Sequence, residues 1–245
     1  VLIVDIVGFT KTVEALNLQK SAKLIKSILE LLTKAVIATN GTLDKYNGDG
    51  LIAFWGAPLE DKNHAENCIF AAIKMFDFLD QFNQKYNLNI NIRICIESGK
   101  VLVGDLGTDF RSSYTILGNC INYASRLENI AHSYKNLQNF PRKILIGENT
   151  QKILQNLAIK NNLLHIGKIK LRGSQNDLDI YTLKWKKNTQ IMSENIDNTS
   201  NQSPETPTQA RQVITVHLQN IPLLKGLPAE LLNEIGKRMI FRSYP

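Results

Sequence analysis

Two aspartates stand where apolar runs meet glycine-bearing turns. Asp5 lies in Val4-Asp5-Ile6-Val7-Gly8-Phe9-Thr10, and Asp49 in Asp44-Lys45-Tyr46-Asn47-Gly48-Asp49-Gly50. Carboxylates held at rigid strand ends are hard oxygen ligands, suited to divalent cations. Gly8, Phe9 and Thr10 follow Asp5 at the point where a helix is expected to begin. Backbone N–H groups at a helix start, backed by the positive end of the helix dipole, form a place for phosphate. Cations and phosphate brought to one place suggest nucleotide chemistry.

Specific elements must hold those groups. The apolar opening over 1–6 reads as a buried strand. Val13, Leu16, Leu24, Ile28, Leu31, Leu32 and Ile37 recur at helical spacing over 11–38, which predicts a long amphipathic helix. Gly41–Tyr46 and Leu51–Trp55 read as strands around Asn47-Gly48-Asp49-Gly50, whose Asn-Gly is a strong hairpin signal, and Pro58 closes the pair. A second helix is expected over 61–86, and a strand where Ile90, Ile92, Ile94 and Ile96 alternate with polar partners. Another strand is expected over 101–106, a third helix over 121–131, a strand over 143–146 and a short helix over 148–157. A strand pair over 163–171 and 178–185 completes the set. The sum is an α+β sandwich with helices on one sheet face.

The chain has 245 residues, 43% hydrophobic and 21% charged, enough for one full core and a smaller piece. It opens at Val1, already inside the strand pattern and without an initiator Met, so a fragment of a longer protein is expected. Its +7 net charge is scattered rather than gathered in a stripe. That points to a solvated Lys- and Asn-rich surface and not to a nucleic-acid binder. Cys68, Cys95 and Cys120 are odd in number and widely spaced, as expected of free thiols in a reducing compartment. No apolar run reaches the ~18 residues of a membrane span. The stretch 187–210 is polar, carries two prolines and reads as a disordered linker. Leucine and isoleucine at helical spacing return within 211–245, a segment too short to build a core alone.

Several motifs, in order, resemble the class III nucleotidyl cyclase catalytic domain. They are Val4-Asp5-Ile6-Val7-Gly8-Phe9-Thr10, Lys45-Tyr46-Asn47-Gly48-Asp49-Gly50, Gly104-Asp105-Leu106-Gly107 and the run from Arg111 through Gly118-Asn119 to Asn122, Arg126 and Glu128. The resemblance covers about 1–185. It implies a ferredoxin-like βαββαβ sandwich over 1–186, followed by the linker and a short helical segment. The segment Asn220-Ile221-Pro222-Leu223-Leu224 to Leu232 resembles the start of a cyclic-nucleotide-binding domain, truncated at Pro245, so a cyclic nucleotide is an expected partner there.

The reaction this resemblance implies is attack of the ribose 3′-hydroxyl on the α-phosphate of ATP, giving 3′,5′-cyclic AMP and pyrophosphate. Such transfer depends on positioning and on stabilising charge at oxygen. By resemblance, Asp5, Asp49 and the Ile6 carbonyl hold two Mg²⁺ or Mn²⁺ ions, one favouring the 3′-oxyanion and the other the triphosphate. Gly8, Phe9, Thr10 and Arg172 would bind phosphate, with Arg172 standing where the family often has lysine. Arg111 is also family-typical, and a surface salt bridge serves it equally well. Asn122 would position the ribose and Arg126 the α-phosphate; four residues apart, they share one helix face.

Lys45 and Thr115 would read the base. A lysine N–H can donate to N1 of adenine, whereas guanine carries a donor there. The pair therefore points to ATP. In the family, the aspartates and the residues Lys45, Thr115, Asn122 and Arg126 come to one site from two protomers. This chain carries both sets, which implies a homodimer with shared sites and a cytoplasmic catalytic domain. A guanylate cyclase and a catalytically silent nucleotide-binding regulator are the alternatives.

Overall fold

Strand β1 (Leu2–Ile6) forms from the opening apolar run and becomes an interior strand of the sheet. Helix α1 (Leu18–Ile37) lies within the helix expected over 11–38, of which 11–16 fall outside the described residues. Asn17 caps it, its side-chain oxygen accepting from the Lys20 N–H at 2.9 Å, which satisfies one of the open donors of the first turn. Next come β2 (Thr42–Asn47), β3 (Gly50–Phe54), α2 (His64–Tyr86) and β4 (Ile92–Ile96). Helix α2 ends at Asn87, which takes the left-handed conformation at φ 51°, a common helix stop for asparagine.

The computed structural model describes residues 1–8, 17–107, 110, 113–131, 134–138, 140, 142–170 and 177–184. Phe9, Thr10, Arg111, Arg172, the linker 187–210 and the tail 211–245 lie outside the described residues.

The first half is a βαββαβ unit with strand order β2-β3-β1-β4. Further along lie β5 (Leu102–Asp105), β6 (Tyr114–Leu117), α3 (Asn119–Ala131), α4 (Lys135–Gln138) and β7 (Lys143–Gly147). Then follow α5 (Glu148–Ile153), α6 (Leu157–Asn161), β8 (Leu163–Lys170) and β9 (Asp177–Leu183). Among the described residues the sheet has seven strands, ordered β2-β3-β1-β4-β7-β9-β8. Only the β4–β7 pairing is parallel among its pairs. Strands β5 and β6 form a separate two-stranded ribbon.

The core differs from the expectation of helices on one face. All five residues of β4 are buried. Cys95 packs with Leu145 and Ile180 of the sheet, Leu127 and Ala131 of α3, and Leu137 of α4. Successive strand residues point to opposite faces, so the buried Ile94 and Ile96 point away from α3. There α1 and α2 pack on each other and reach β3 and β4. Helices thus cover both faces at the centre of the sheet. Each fully buried Ile or Leu contributes about 1.5–3 kcal/mol, so the doubly covered middle strands hold the most firmly fixed backbone.

The short helix expected over 148–157 is two helices. Between them, Glu66 of α2 accepts the N–H groups of Gln155, at 2.6 Å, and Asn156, at 3.2 Å. Asn156 then caps α6 by accepting from the Ile159 N–H at 3.0 Å. A distant carboxylate thus draws those N–H groups out of one continuous helix.

Candidate active site

The hairpin β2–β3 turns through Gly48 and Asp49, with Asn47 opposite Gly50. Gly48 has φ +63°, a conformation open to glycine at the first central place of a tight hairpin turn. The turn therefore falls within Asn47-Gly48-Asp49-Gly50, where the sequence places it. Val4 of β1 pairs with Leu51 of β3, which brings the end of β1 beside the turn. Gly50 rests against the Val4 carbonyl, with a side chain there also meeting Asp5 Cα at 3.2 Å. Asp49 immediately precedes Gly50, so the tips carrying Asp5 and Asp49 adjoin.

Asp5 lies opposite Arg93 of β4. The guanidinium grips the carboxylate in two places, Nε to Oδ1 at 3.2 Å and Nη2 to Oδ2 at 2.5 Å. Both side chains are largely buried, 4% and 14% exposed. Sequence reading passed over Arg93. A cation on an otherwise isoleucine-rich strand was the available signal, but its target lay 88 residues away.

Glu128 on α3 reports on the same place. Burial first, then the negative charges of Asp5 and Asp49, raise its carboxyl above the ordinary value, with Arg93 acting in the opposite sense. Both aspartates therefore act on one side chain, and negative charge gathers where the strands end. Two carboxylates and an adjacent carbonyl, that of Ile6 at the end of β1, suit a hard cation that completes its shell with water and substrate oxygen. No cluster of three or more His, Cys, Asp or Glu side chains arranged for a metal occurs among the described residues. The donor set fits magnesium or manganese better than zinc.

The remaining candidates fall in recognisable groups. Lys45 is half exposed near the middle of β2. Thr115 sits on β6 opposite Gly104, and β2 touches β6, with Phe54 and Tyr114 rings 6.4 Å apart beside them. The two expected base-reading residues are thus on adjoining strands. Asn122 is exposed on α3, and Arg126 is partly buried with its guanidinium 5.9 Å from the Tyr123 ring centre. Gly8 is exposed just after β1. Phe9, Thr10 and Arg172 lie outside the described residues. Two surface clefts centre on His64, Ser98 and Gly99, and none of the expected site residues lines them.

With this sheet, these strand ends and this helix in place, the class is defined: the chain belongs to the adenylate and guanylate cyclase catalytic domain family, whose model matches residues 1–185. Among particular relatives, it is 29% identical over 195 residues to an adenylate cyclase of Anabaena cylindrica, an alignment covering 75% of this chain and 36% of that protein. It thus spans well under half of that relative. The crystal structure of the adenylyl cyclase CyaB from P. aeruginosa shares 28% identity at a TM-score of 0.65, covering 76% of this chain and 93% of that one. The guanylyl cyclase Cya2 has the same fold at 23% identity and a TM-score of 0.62, covering 74% and 89%.

Among the described residues, no helix is long and apolar enough to cross a membrane. The three cysteines are free and buried.

Proposed function

We propose that this domain is an adenylate cyclase, converting ATP to 3′,5′-cyclic AMP and pyrophosphate in a cytoplasmic setting. The observation that carries the reading is the junction of the Asp5 and Asp49 strand tips beside the buried Arg93. Asp5, Asp49 and the Ile6 carbonyl would hold magnesium or manganese, which when bound favours the ionised 3′-oxygen and neutralises triphosphate charge. Arg93, a planar fork that fits phosphate as well as carboxylate, supplies a fixed positive charge at the same place. Gly8, Phe9, Thr10 and Arg172 would take the other phosphate oxygens. Asn122 orients the ribose, and Arg126 stabilises charge on the α-phosphate. Lys45 donates to adenine N1 while Thr115 accepts from the adenine amino group.

The site would be shared between two copies of the chain. The β5–β6 ribbon supports this, because it leaves Leu102 61%, Tyr114 44% and Leu117 61% exposed. Apolar surface gathered on one small ribbon is a common mark of an interface.

The test is direct. The purified chain is incubated with ATP or GTP and either metal, and the cyclic product is separated by chromatography. Cyclic AMP is expected in excess. Arg126→Ala should lower its formation about 100- to 1000-fold, as for other lost transition-state donors, and Lys45→Glu should shift preference toward GTP. Absence of cyclic product from both nucleotides would instead make the domain a silent nucleotide-binding regulator.

A further inference from the structure

The side chain immediately before Lys45 is unusual. The Asp44 side chain is 0% exposed, while that of Lys45 beside it is 52% exposed. Neither carboxylate oxygen of Asp44 has a hydrogen-bond partner. A carboxylate removed from water in this way is costly unless a cation compensates it. Among the described residues the cation that reaches it is Lys45, with Nζ 3.3 Å from Oδ2. That is close enough for strong attraction, though the groups are not aligned as a hydrogen bond.

The backbone makes this contact possible. Leu43 pairs with Ala53 and Lys45 with the very next residue of β3, Ile52, so Asp44 is an extra residue in β2. In a regular strand, neighbouring side chains point to opposite faces and would diverge. A bulge re-aims them, and here it turns an acid and a base adjacent in sequence toward one another. A neutral side chain of the same shape would be easier to bury. The charge of Asp44 acts through a cation, and that cation is the residue assigned to the base.

We propose that Asp44 is a positioning residue for nucleobase selection. It draws the Lys45 ammonium to the wall of β2 facing β6, so that one N–H stays directed at the purine while another faces the buried carboxylate. The ammonium then does not sweep freely through solvent, and discrimination between adenine and guanine rests on the pair. This inference depends on the reading of Lys45 as the base-selecting residue.

The experiment measures binding, so that it does not depend on turnover. Dissociation constants of 3′-deoxy-ATP and 3′-deoxy-GTP, which lack the attacking hydroxyl, are determined by calorimetry with Mn²⁺. Four chains are compared: the parent, Lys45→Ala, Asp44→Asn and the double variant. Lys45→Ala should reduce the preference for the adenine analogue about tenfold, the loss of one well-made polar contact. Asp44→Asn should reduce it at least about fivefold by weakening adenine binding, and should melt no lower than the parent because a buried charge is gone. The double variant should match Lys45→Ala. Asp44→Ser is a second neutral replacement expected to give the same loss.

If Lys45→Ala leaves the preference unchanged, or if neither analogue binds the parent, the base reading falls and this inference falls with it. If Lys45→Ala abolishes the preference while both neutral variants at 44 keep it within about twofold, the base reading stands and the role of Asp44 is overturned. An Asp44→Asn effect that persists undiminished without Lys45 overturns it as well, because a merely structural acid would act without its lysine.

Discussion

Buried charge is where this chain departs most from an ordinary core. Asp5 and Arg93 form a two-pronged pair, and removing the arginine would leave an uncompensated carboxylate at a cost of about 3–5 kcal/mol. Glu97, one residue beyond β4, is a harsher case. It is 1% exposed, and burial, opposed by hydrogen bonds from the Ser98 N–H and from Asn149, pushes its carboxyl from 4.5 up to about 7. A carboxyl raised on folding stabilises the native state on the acid side. That contribution is full below pH 4.5 and is lost as pH rises through about 7. The shift corresponds to about 3 kcal/mol at most. Glu97→Gln is therefore expected to flatten the fall in urea-measured stability across that window and to leave the protein more stable than the parent at pH 8 by about 1–3 kcal/mol. A variant whose stability still falls as steeply with pH would place the titration elsewhere.

At the scale of elements, the β2–β3 hairpin has two glycines with different reasons. Gly48 needs a positive φ of 63° but has open space around it. Gly50 has no such conformational need; instead the Val4 carbonyl occupies the place of its missing side chain. Gly48→Asn should cost less than about 1 kcal/mol, since asparagine visits that conformation readily. Gly50→Ala should cost about 1–3 kcal/mol or more by pushing β1 and β3 apart, and should weaken Mn²⁺ binding because it separates the two aspartates. Chemical denaturation and calorimetric metal titration check both, and equal effects from the two variants would contradict the packing argument. Hairpin, long helices and the central strands were readable because their signals are local: alternation, helical period, a turn dipeptide. The ribbon strand β6 and helix α4, of four residues each, were not: segments that short show no period, and β5 of equal length stood out only as an apolar run over 101–106. The break between α5 and α6 was invisible for another reason, since Glu66, which draws out the N–H groups there, lies 89 residues earlier than Gln155.

For the whole molecule the question is how many chains make a site. If Asp5 and Arg126 serve one nucleotide from different copies, then Asp5→Ala and Arg126→Ala chains should each be nearly inactive. Mixed in equal amounts, they should recover about a quarter of parental activity, because random pairing gives half mixed dimers, each with one intact site. Sedimentation of the same mixture reports whether dimers form, and a mixture that forms mixed dimers without recovering activity would sink the shared-site arrangement. By itself the sequence determined the long helices, the hairpin and the central strands, the order of the motifs and the two aspartates at strand ends, because these are written in contiguous residues. Tertiary structure decided which distant charges face them. Arg93 meets Asp5, Glu128 feels both aspartates, and α3 closes the sheet face opposite α1 and α2. Such pairings depend on strand register and helix packing across some ninety residues of chain, and a local pattern carries no record of the partner it will meet.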